Sequence, residues 1–160
     1  MQNQPLPHFI TADRVQIEQQ PWCTTEWLSR PGLVDTEHLL LLRAHMPPGQ
    51  AHRFHRHPQT EELLYILSGT AVQWVGRERR VLVAGEMAHI PTNMVHATHN
   101  ETDEVLSFLA ILSPAHFEGV NLVDVCEEEP WRSLAASQAT SGPHFEHFRQ
   151  RESDPARTRH

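Results

Sequence analysis

The sequence predicts an all-β sandwich or barrel, and three observations support this fold class. Residues 37–112 form a series of short apolar runs, rich in leucine and β-branched residues, that are too short for helices. Turn residues separate the runs at short intervals, as in small barrels and sandwiches. The length of 160 residues is enough for one hydrophobic core and too short for two ordinary ones.

The expected elements begin with an N-terminal segment, residues 1–33, that contains an edge strand. Within it, residues 15–19 alternate between apolar and polar side chains, as a short edge strand does. The sequence leaves open whether the segment before Val34 closes the barrel or embraces a partner chain. The barrel itself is expected over residues 34–126. Its strands are predicted at residues 38–46, 51–57, 62–67, 71–75, 80–83, 87–90, 94–99 and 105–112.

A short helix and a flexible tail are expected after the barrel. Residues 127–129 are all glutamates and precede Pro130. Acidic residues and proline are both favoured at helix starts, so residues 127–139 are predicted to contain a short helix. Residues 140–160 are polar, charged and almost free of aliphatic side chains, which is typical of a flexible tail.

Composition and charge disfavour several classes of function. The mean hydropathy is -0.49, and no apolar run approaches the roughly 20 residues that cross a bilayer. A formal net charge of -7 disfavours nucleic acids and anionic membranes as partners. The chain has 13 arginines and no lysine, so Schiff-base chemistry on a lysine is excluded.

The cysteines and the N-terminus predict a cytoplasmic protein. Cys23 and Cys126 are far apart and belong to no C-x-x-C pair, so they suit a reducing compartment better than a disulfide framework. The first ten residues lack the basic patch and apolar stretch of a secretory signal.

The strongest functional signal is a cluster of histidines within the predicted barrel. The segment Gly49-x5-His55-x-His57-x4-Glu62-x6-Gly69 places two imidazoles two residues apart, on one face of a strand. Pro58 ends that strand, and Glu62 opens the next one, from which its carboxylate can return to the histidine pair.

A second segment supplies a further histidine from a distant part of the chain. It runs Gly85-x5-Pro91-x-Asn93-x2-His96-x3-Asn100. Asn93 occupies a tight turn that favours the left-handed backbone region, which asparagine tolerates when glycine is absent. His96 follows this turn on a strand and is the candidate fourth ligand.

Together the two segments resemble the motifs of the cupin family, with Asn93 standing where the family usually has glycine. The resemblance covers about residues 39–112. It implies a double-stranded β-helix, or jelly-roll barrel, of the small single-domain, quercetinase-like kind. It also implies a metal ion in the barrel mouth, held by His55, His57, Glu62 and His96.

The ligand types restrict the choice of metal ion. Three neutral imidazoles and one carboxylate suit transition metals better than Ca²⁺ or Mg²⁺. Fe(II) or Mn(II) is favoured, with Ni, Co, Cu or Zn as alternatives. Four protein ligands on an octahedral ion leave two positions open for a substrate, water or dioxygen.

Several neighbouring side chains have alternative interpretations. Glu61 competes with Glu62 as the ligand, but the spacing to Gly69 favours Glu62 and makes Glu61 a surface acid. His52 and Phe54 have the opposite parity to the two histidine ligands, so in a regular strand they face away from the cavity.

The parity of the later strands predicts part of the cavity wall. Counting from Glu62, Leu64 and Ile66 point inward, and Tyr65 lies on the other face and is expected to pack there. For the last strand the sequence does not decide which of two sets faces the cavity: Leu106, Phe108 and Ala110, or Ser107, Leu109 and Ile111.

The cupin resemblance implies an enzyme that acts on a small organic substrate, with dioxygenase chemistry as the favoured reaction. Glu62 is the candidate catalytic base in such a reaction. A metal-dependent lyase, decarboxylase or isomerase is the alternative enzyme, and a non-catalytic binding protein is the other class, because fold and ligand set do not specify a reaction. The resemblance also implies a homodimer.

Overall fold

The structure is a computed structural model that describes residues 6–139. Within this range the chain forms strands and one helix, as the sequence predicts. The strands are β1 (Gln16–Gln19), β2 (Thr24–Ser29), β3 (Leu40–Met46), β4 (Ala51–Arg56), β5 (Glu61–Ser68), β6 (Thr70–Val75), β7 (Glu78–Val83), β8 (Met87–Ile90), β9 (His96–His99), β10 (Leu106–Ser113) and β11 (Val123–Asp124), and the helix is α1 (Trp131–Ala139). The predicted tail, residues 140–160, lies outside the described residues.

The strands form two antiparallel sheets, which confirms the predicted all-β jelly roll. The six-stranded sheet has the order β1-β2-β3-β10-β5-β8, and the five-stranded sheet has the order β11-β4-β9-β6-β7. Consecutive strands therefore alternate between sheets at several points, as in a jelly roll. No helix in residues 6–139 is long and apolar enough to span a membrane.

The main core lies between the two sheets. Strands β5 and β10 pair along their whole length, and the alternate residues that face inward on them are buried. Leu64 and Ile66 point inward as predicted. On β10 the inward set is Leu106, Phe108, Ala110 and Leu112, which resolves the choice that the sequence left open. The outward Tyr65 is 40% exposed, so its expected packing role is not observed.

A second cluster covers the outer face of the five-stranded sheet. Phe54 and Trp74 form its centre, with their rings 5.7 Å apart and steeply inclined. Trp131, Leu134 and Ala135 of α1 pack against them. A helix this short is only marginally stable in isolation. Burial of its apolar side chains against the sheet provides the additional stability.

The N-terminal segment extends the six-stranded sheet. Residues 16–19 form the edge strand that the alternation at 15–19 predicts, and β1 pairs with β2, which pairs with β3. Strand β2 was not predicted, because its sequence TTEWLS lacks a clear alternation. Its position matters for function, since Thr25 and Trp27 line the cavity described below.

Gly69 is required where the chain passes from one sheet to the other. Its φ angle is +78°, and a Cβ atom built there would lie 2.7 Å from the carbonyl oxygen of Val105. Gly85 also has a positive φ angle, +88°, but a Cβ atom there would have nothing within 4 Å. The two glycines therefore share the backbone requirement and differ in the space around them.

We expect Gly69→Ala to destabilise the fold much more than Gly85→Ala. Both substitutions place a side chain in the left-handed region, which costs about 1 kcal/mol. Gly69→Ala also forces the β5–β6 turn away from Val105, at a further cost of about 1–3 kcal/mol. Urea unfolding of both variants measures the difference. Equal losses of stability would contradict the close approach at Gly69.

Candidate metal centre

The candidate ligands come from three strand ends that meet at one end of the barrel. His55 lies near the end of β4, His57 follows that strand directly, and His96 is the first residue of β9. These histidines belong to the five-stranded sheet or its margin. Glu62, on β5, comes from the opposite sheet. The site is thus formed only when the two sheets face each other.

The turn before β9 is fixed by Asn93. Its φ angle is 64°, which is the left-handed conformation that the sequence predicts for this position. The backbone N–H of Asn93 donates to the carbonyl of His57 at 2.8 Å, and its side-chain oxygen accepts from Arg56 at 3.2 Å. The turn is therefore tied to the end of β4, which sets the position of His96 relative to His57.

Three imidazole rings converge at this point. Ring nitrogens of His55, His57 and His96 all lie within 4.8 Å of one another. The three residues are buried, at 2%, 8% and 2% exposure respectively. Glu62 Oε2 lies 3.1 Å from Nε2 of His96 and 3.5 Å from Nε2 of His57. The structure therefore brings together all four residues that the sequence identifies as candidate ligands.

The backbone orients each of the three rings. Nδ1 of His55 lies 2.7 Å from the carbonyl of Arg53, Nδ1 of His57 lies 2.6 Å from that of Asn121, and Nδ1 of His96 lies 3.0 Å from that of Met94. A carbonyl oxygen only accepts hydrogen bonds, so Nδ1 is the protonated nitrogen in each ring. In a neutral ring Nε2 then offers a lone pair, which is the arrangement of metal-binding histidines.

The chemistry of this donor set fits a metal ion. Nε2 of His55, Nε2 of His96 and Oε2 of Glu62 are buried, and none has a hydrogen-bond partner in the described part of the chain. A buried polar atom without a partner is costly. A divalent ion between them would satisfy all three atoms at once.

Burial and mutual contact shift the pKa values in this cluster. Burial lowers the pKa of His55 well below its usual range, and the imidazoles of His52 and His96 add to the effect. Burial works to raise the pKa of Glu62, but the adjacent imidazoles of His57 and His96 outweigh it and hold the pKa low. Burial likewise works to lower the pKa of His57, yet the Glu62 carboxylate raises it.

A cavity of about 430 Å³ opens beside the candidate ligands. Its wall is largely apolar, with Leu64 and Phe108 from the six-stranded sheet and Trp22 and Trp27 from the N-terminal segment. Among the described residues that line it there is no arginine. The cavity therefore suits a small organic molecule with much apolar surface.

Sequence reasoning missed the two tryptophans and misplaced His52. Trp22 and Trp27 gave no signal because the strand that follows Trp22 was not recognised. His52 was expected to face away from the cavity, but it lines the cavity wall. Strand β4 contains a bulge: His52 pairs with Thr98 and His55 with His96, so two residues on β4 lie opposite one residue on β9 between these pairs. The extra residue puts His52 on the same face as His55.

The remaining acid and histidine candidates lie elsewhere. Glu61 is on the outer surface, where its carboxylate lies 3.3 Å from His89. His45 is on the outer face of the six-stranded sheet, 2.8 Å from the hydroxyl of Ser107. Phe54 faces away from the cavity as its parity predicts, and Thr98 lines the cavity.

Comparison with known proteins identifies the same segment of the chain. Residues 42–112 match the family model described as Cupin domain. Among curated proteins, oxalate decarboxylase OxdC of Bacillus subtilis (strain 168) is 36% identical over 80 residues, covering 47% of this chain. The match spans only 21% of that relative.

Solved structures share the fold at lower identity. Oxalate decarboxylase of Lactobacillus farciminis, in a formate complex, has a TM-score of 0.66 and 19% identity, covering 86% of this chain and 40% of that one. KdgF from Halomonas sp. has a TM-score of 0.60 and 15% identity, covering 70% of this chain and 96% of that one. These similarities establish a common barrel.

We expect the metal-free protein to lose stability as the pH falls from about 7 to 5. Burial lowers the pKa of His52 to about 3, and the pKa of His55 is also lowered. Below the unfolded pKa of about 6.5, the unfolded chain therefore binds protons at these residues that the folded chain does not. The raised pKa of His57 has the opposite effect on stability. We expect the combined effect of His52 and His55 to be larger than that of His57.

Urea unfolding of chelator-treated protein at several pH values measures this slope. We expect His52→Phe to make it shallower and His89→Phe, at an exposed position, to leave it unchanged. A stability that is constant or rises toward pH 5 would contradict the lowered pKa values of His52 and His55.

Proposed function

We propose that this protein, whose residues 42–112 match the Cupin domain model, is a metal-dependent enzyme for a small organic substrate. His55, His57, Glu62 and His96 would hold one divalent ion, and the reaction would be a dioxygenation. The observation that carries the proposal is the convergence of buried, unpartnered Nε2 and carboxylate atoms beside a cavity of about 430 Å³.

The donor set favours a transition metal. Imidazole nitrogens and one carboxylate suit Fe(II) or Mn(II), with Ni, Co, Cu and Zn as further candidates. When bound, the ion would supply Lewis acidity and, for a redox-active metal, access to electron transfer. Four protein donors would leave room in an octahedral shell for a chelating substrate.

The cavity wall supports a substrate that carries little charge. The lining residues include no arginine, and the chain has no lysine. The positive charge for a substrate anion would thus come mainly from the ion itself. A molecule that chelates through adjacent oxygens, such as a hydroxyketone or a diketone enolate, fits these conditions better than a dianion.

Glu62 is the candidate proton acceptor. Its pKa is held below the usual range by His57 and His96 despite burial, so the carboxylate is charged near neutral pH. It lies among the cavity-lining residues, where the carboxylate, if it left the ion, would take the hydroxyl proton of an entering substrate.

A decarboxylase is the second candidate, and one observation favours it. The segment most similar to a curated protein matches oxalate decarboxylase OxdC at 36% identity. Oxalate is a small dianion, however, and the cavity is larger and more apolar than such a substrate needs. The cytoplasmic location and the homodimer stay predictions of the sequence.

We expect substitution of the candidate ligands to weaken metal binding strongly without unfolding the barrel. His57→Ala and His96→Ala each remove one Nε2 donor, and Glu62→Gln removes the only anion of the set, so metal affinity should fall by at least about tenfold. Metal content after reconstitution, measured by elemental analysis, tests this expectation. Full metal occupancy in these variants would refute the assignment.

Glu61→Gln is the matched control for Glu62→Gln. The two acids are adjacent on β5 but point to opposite faces, and Glu61 is exposed. The control should therefore bind metal like the wild type. Equal losses in both variants would indicate a general effect of charge rather than ligation.

Oxygen uptake distinguishes the two reactions. We expect protein purified without an affinity resin, and reconstituted anaerobically with Fe(II) or Mn(II), to consume dioxygen with a flavonol, a β-diketone or a hydroxyketone. A decarboxylase would instead release carbon dioxide from oxalate without net oxygen consumption. If no metal-loaded form of the protein consumed dioxygen or released carbon dioxide with any of these substrates, a protein that only binds its ligand would be favoured.

A further inference from the structure

The ring of His52 is held between two other rings at the cavity wall. On one face it stacks on Trp22, with ring centroids 4.1 Å apart and planes inclined by 9°. On the other face it stacks on His55, at 3.7 Å and 30°. Contacts on both faces fix the plane of the imidazole, so its nitrogen atoms, at the ring edge, have a defined direction.

The cavity offers few polar groups apart from the candidate metal ligands. The polar side chains that line it are Gln20, Thr25, His52, Thr98 and Asn121. Four of them interact with neighbouring side chains: Gln20 with Glu18, Thr25 with Cys23, Thr98 with Gln73, and Asn121 with Thr60. His52 is half-buried and has no hydrogen bond to any residue in the described part of the chain, so its ring nitrogens are available to a molecule in the cavity.

The bulge in β4 is the feature that creates this arrangement. In a regular strand His52 would lie on the outer face, where Phe54 packs under the helix. The extra residue between the pairs His52–Thr98 and His55–His96 turns His52 inward beside a candidate ligand. Bulges that redirect a side chain in this way are common next to active sites.

We propose that His52 contacts the substrate directly, with a ring nitrogen hydrogen-bonded to an oxygen atom of the small molecule in the cavity. The inference rests on the proposed function, because it assumes that the molecule binds at the ion held beside His55. A hydrogen bond to His52 restricts the substrate to chelating molecules that, when bound to the ion, place an oxygen atom on the side of the cavity where Trp22 lies. Trp22 is the positioning residue that keeps the His52 ring in place.

A purely structural role makes a different prediction. If His52 only supports the ring of His55, any flat ring at position 52 preserves function, and loss of the ring disturbs metal binding first. If His52 binds the substrate, removal of its nitrogen atoms weakens ligand binding and leaves metal binding intact. His52→Phe keeps a ring and removes the nitrogens, whereas His52→Gln removes the ring and keeps a polar group.

The experiment compares these variants in the full chain loaded with metal. Maltol, an uncharged hydroxypyranone that chelates through two adjacent oxygens, serves as the probe in isothermal titration calorimetry. We expect His52→Phe to bind the metal normally and maltol at least tenfold more weakly than the wild type. His52→Gln should recover most of the maltol affinity, and His89→Phe, on the outer surface, should leave it unchanged.

Three results would overturn the role of His52. These are unchanged maltol binding by metal-loaded His52→Phe, loss of metal from that variant, and no maltol binding by the metal-loaded wild type. Failure of the wild-type chain to bind any metal is a separate outcome, because it would refute the proposed function itself.

Discussion

A carboxylate buried among three imidazoles constrains the interior of this protein. Glu62 and the histidines around it have less than 9% of their surface exposed, and buried polar groups are stable only with partners. The chain provides these partners on one side by directing backbone carbonyls to Nδ1 of each ring. On the other side the Nε2 atoms and the carboxylate face one another, in an arrangement that a cation would complete.

This constraint explains features of the fold that are far apart in sequence. The carbonyl that anchors His57 belongs to Asn121, in the loop after the last long strand, so that loop must return to the mouth of the barrel. The same loop is joined to Gln59 by hydrogen bonds at Glu118. The turn at Asn93 is tied to His57. Each connection lies at the same end of the barrel, where it both shapes the cavity and orients a ring.

The N-terminal segment contributes to the site as well as to the sheet. Trp27 is held by a hydrogen bond from its indole nitrogen to Glu18 at 2.9 Å, and the guanidinium of Arg30 lies over its ring at 4.8 Å. Trp22 stacks on His52. The match to the Cupin domain model covers residues 42–112, so these aromatic walls lie outside the matched segment.

The sequence by itself determined the fold class, the main strands and the identity of the four convergent residues. Some of these features are local properties of the sequence and can be recognised without a structure. They include the period-two alternation on strands such as β5 and the spacing of His55, His57 and Glu62. Only the tertiary structure decided which face of β10 lines the cavity, because the phase of a strand depends on its partner. It also decided the position of His52. A bulge is defined by how two strands pair, so it cannot be recognised from the alternation of apolar and polar residues in one strand. The positions of Trp22 and Trp27 were likewise decided by the tertiary structure. They depend on the pairing of β2 with β3, which the sequence of the N-terminal segment alone does not specify.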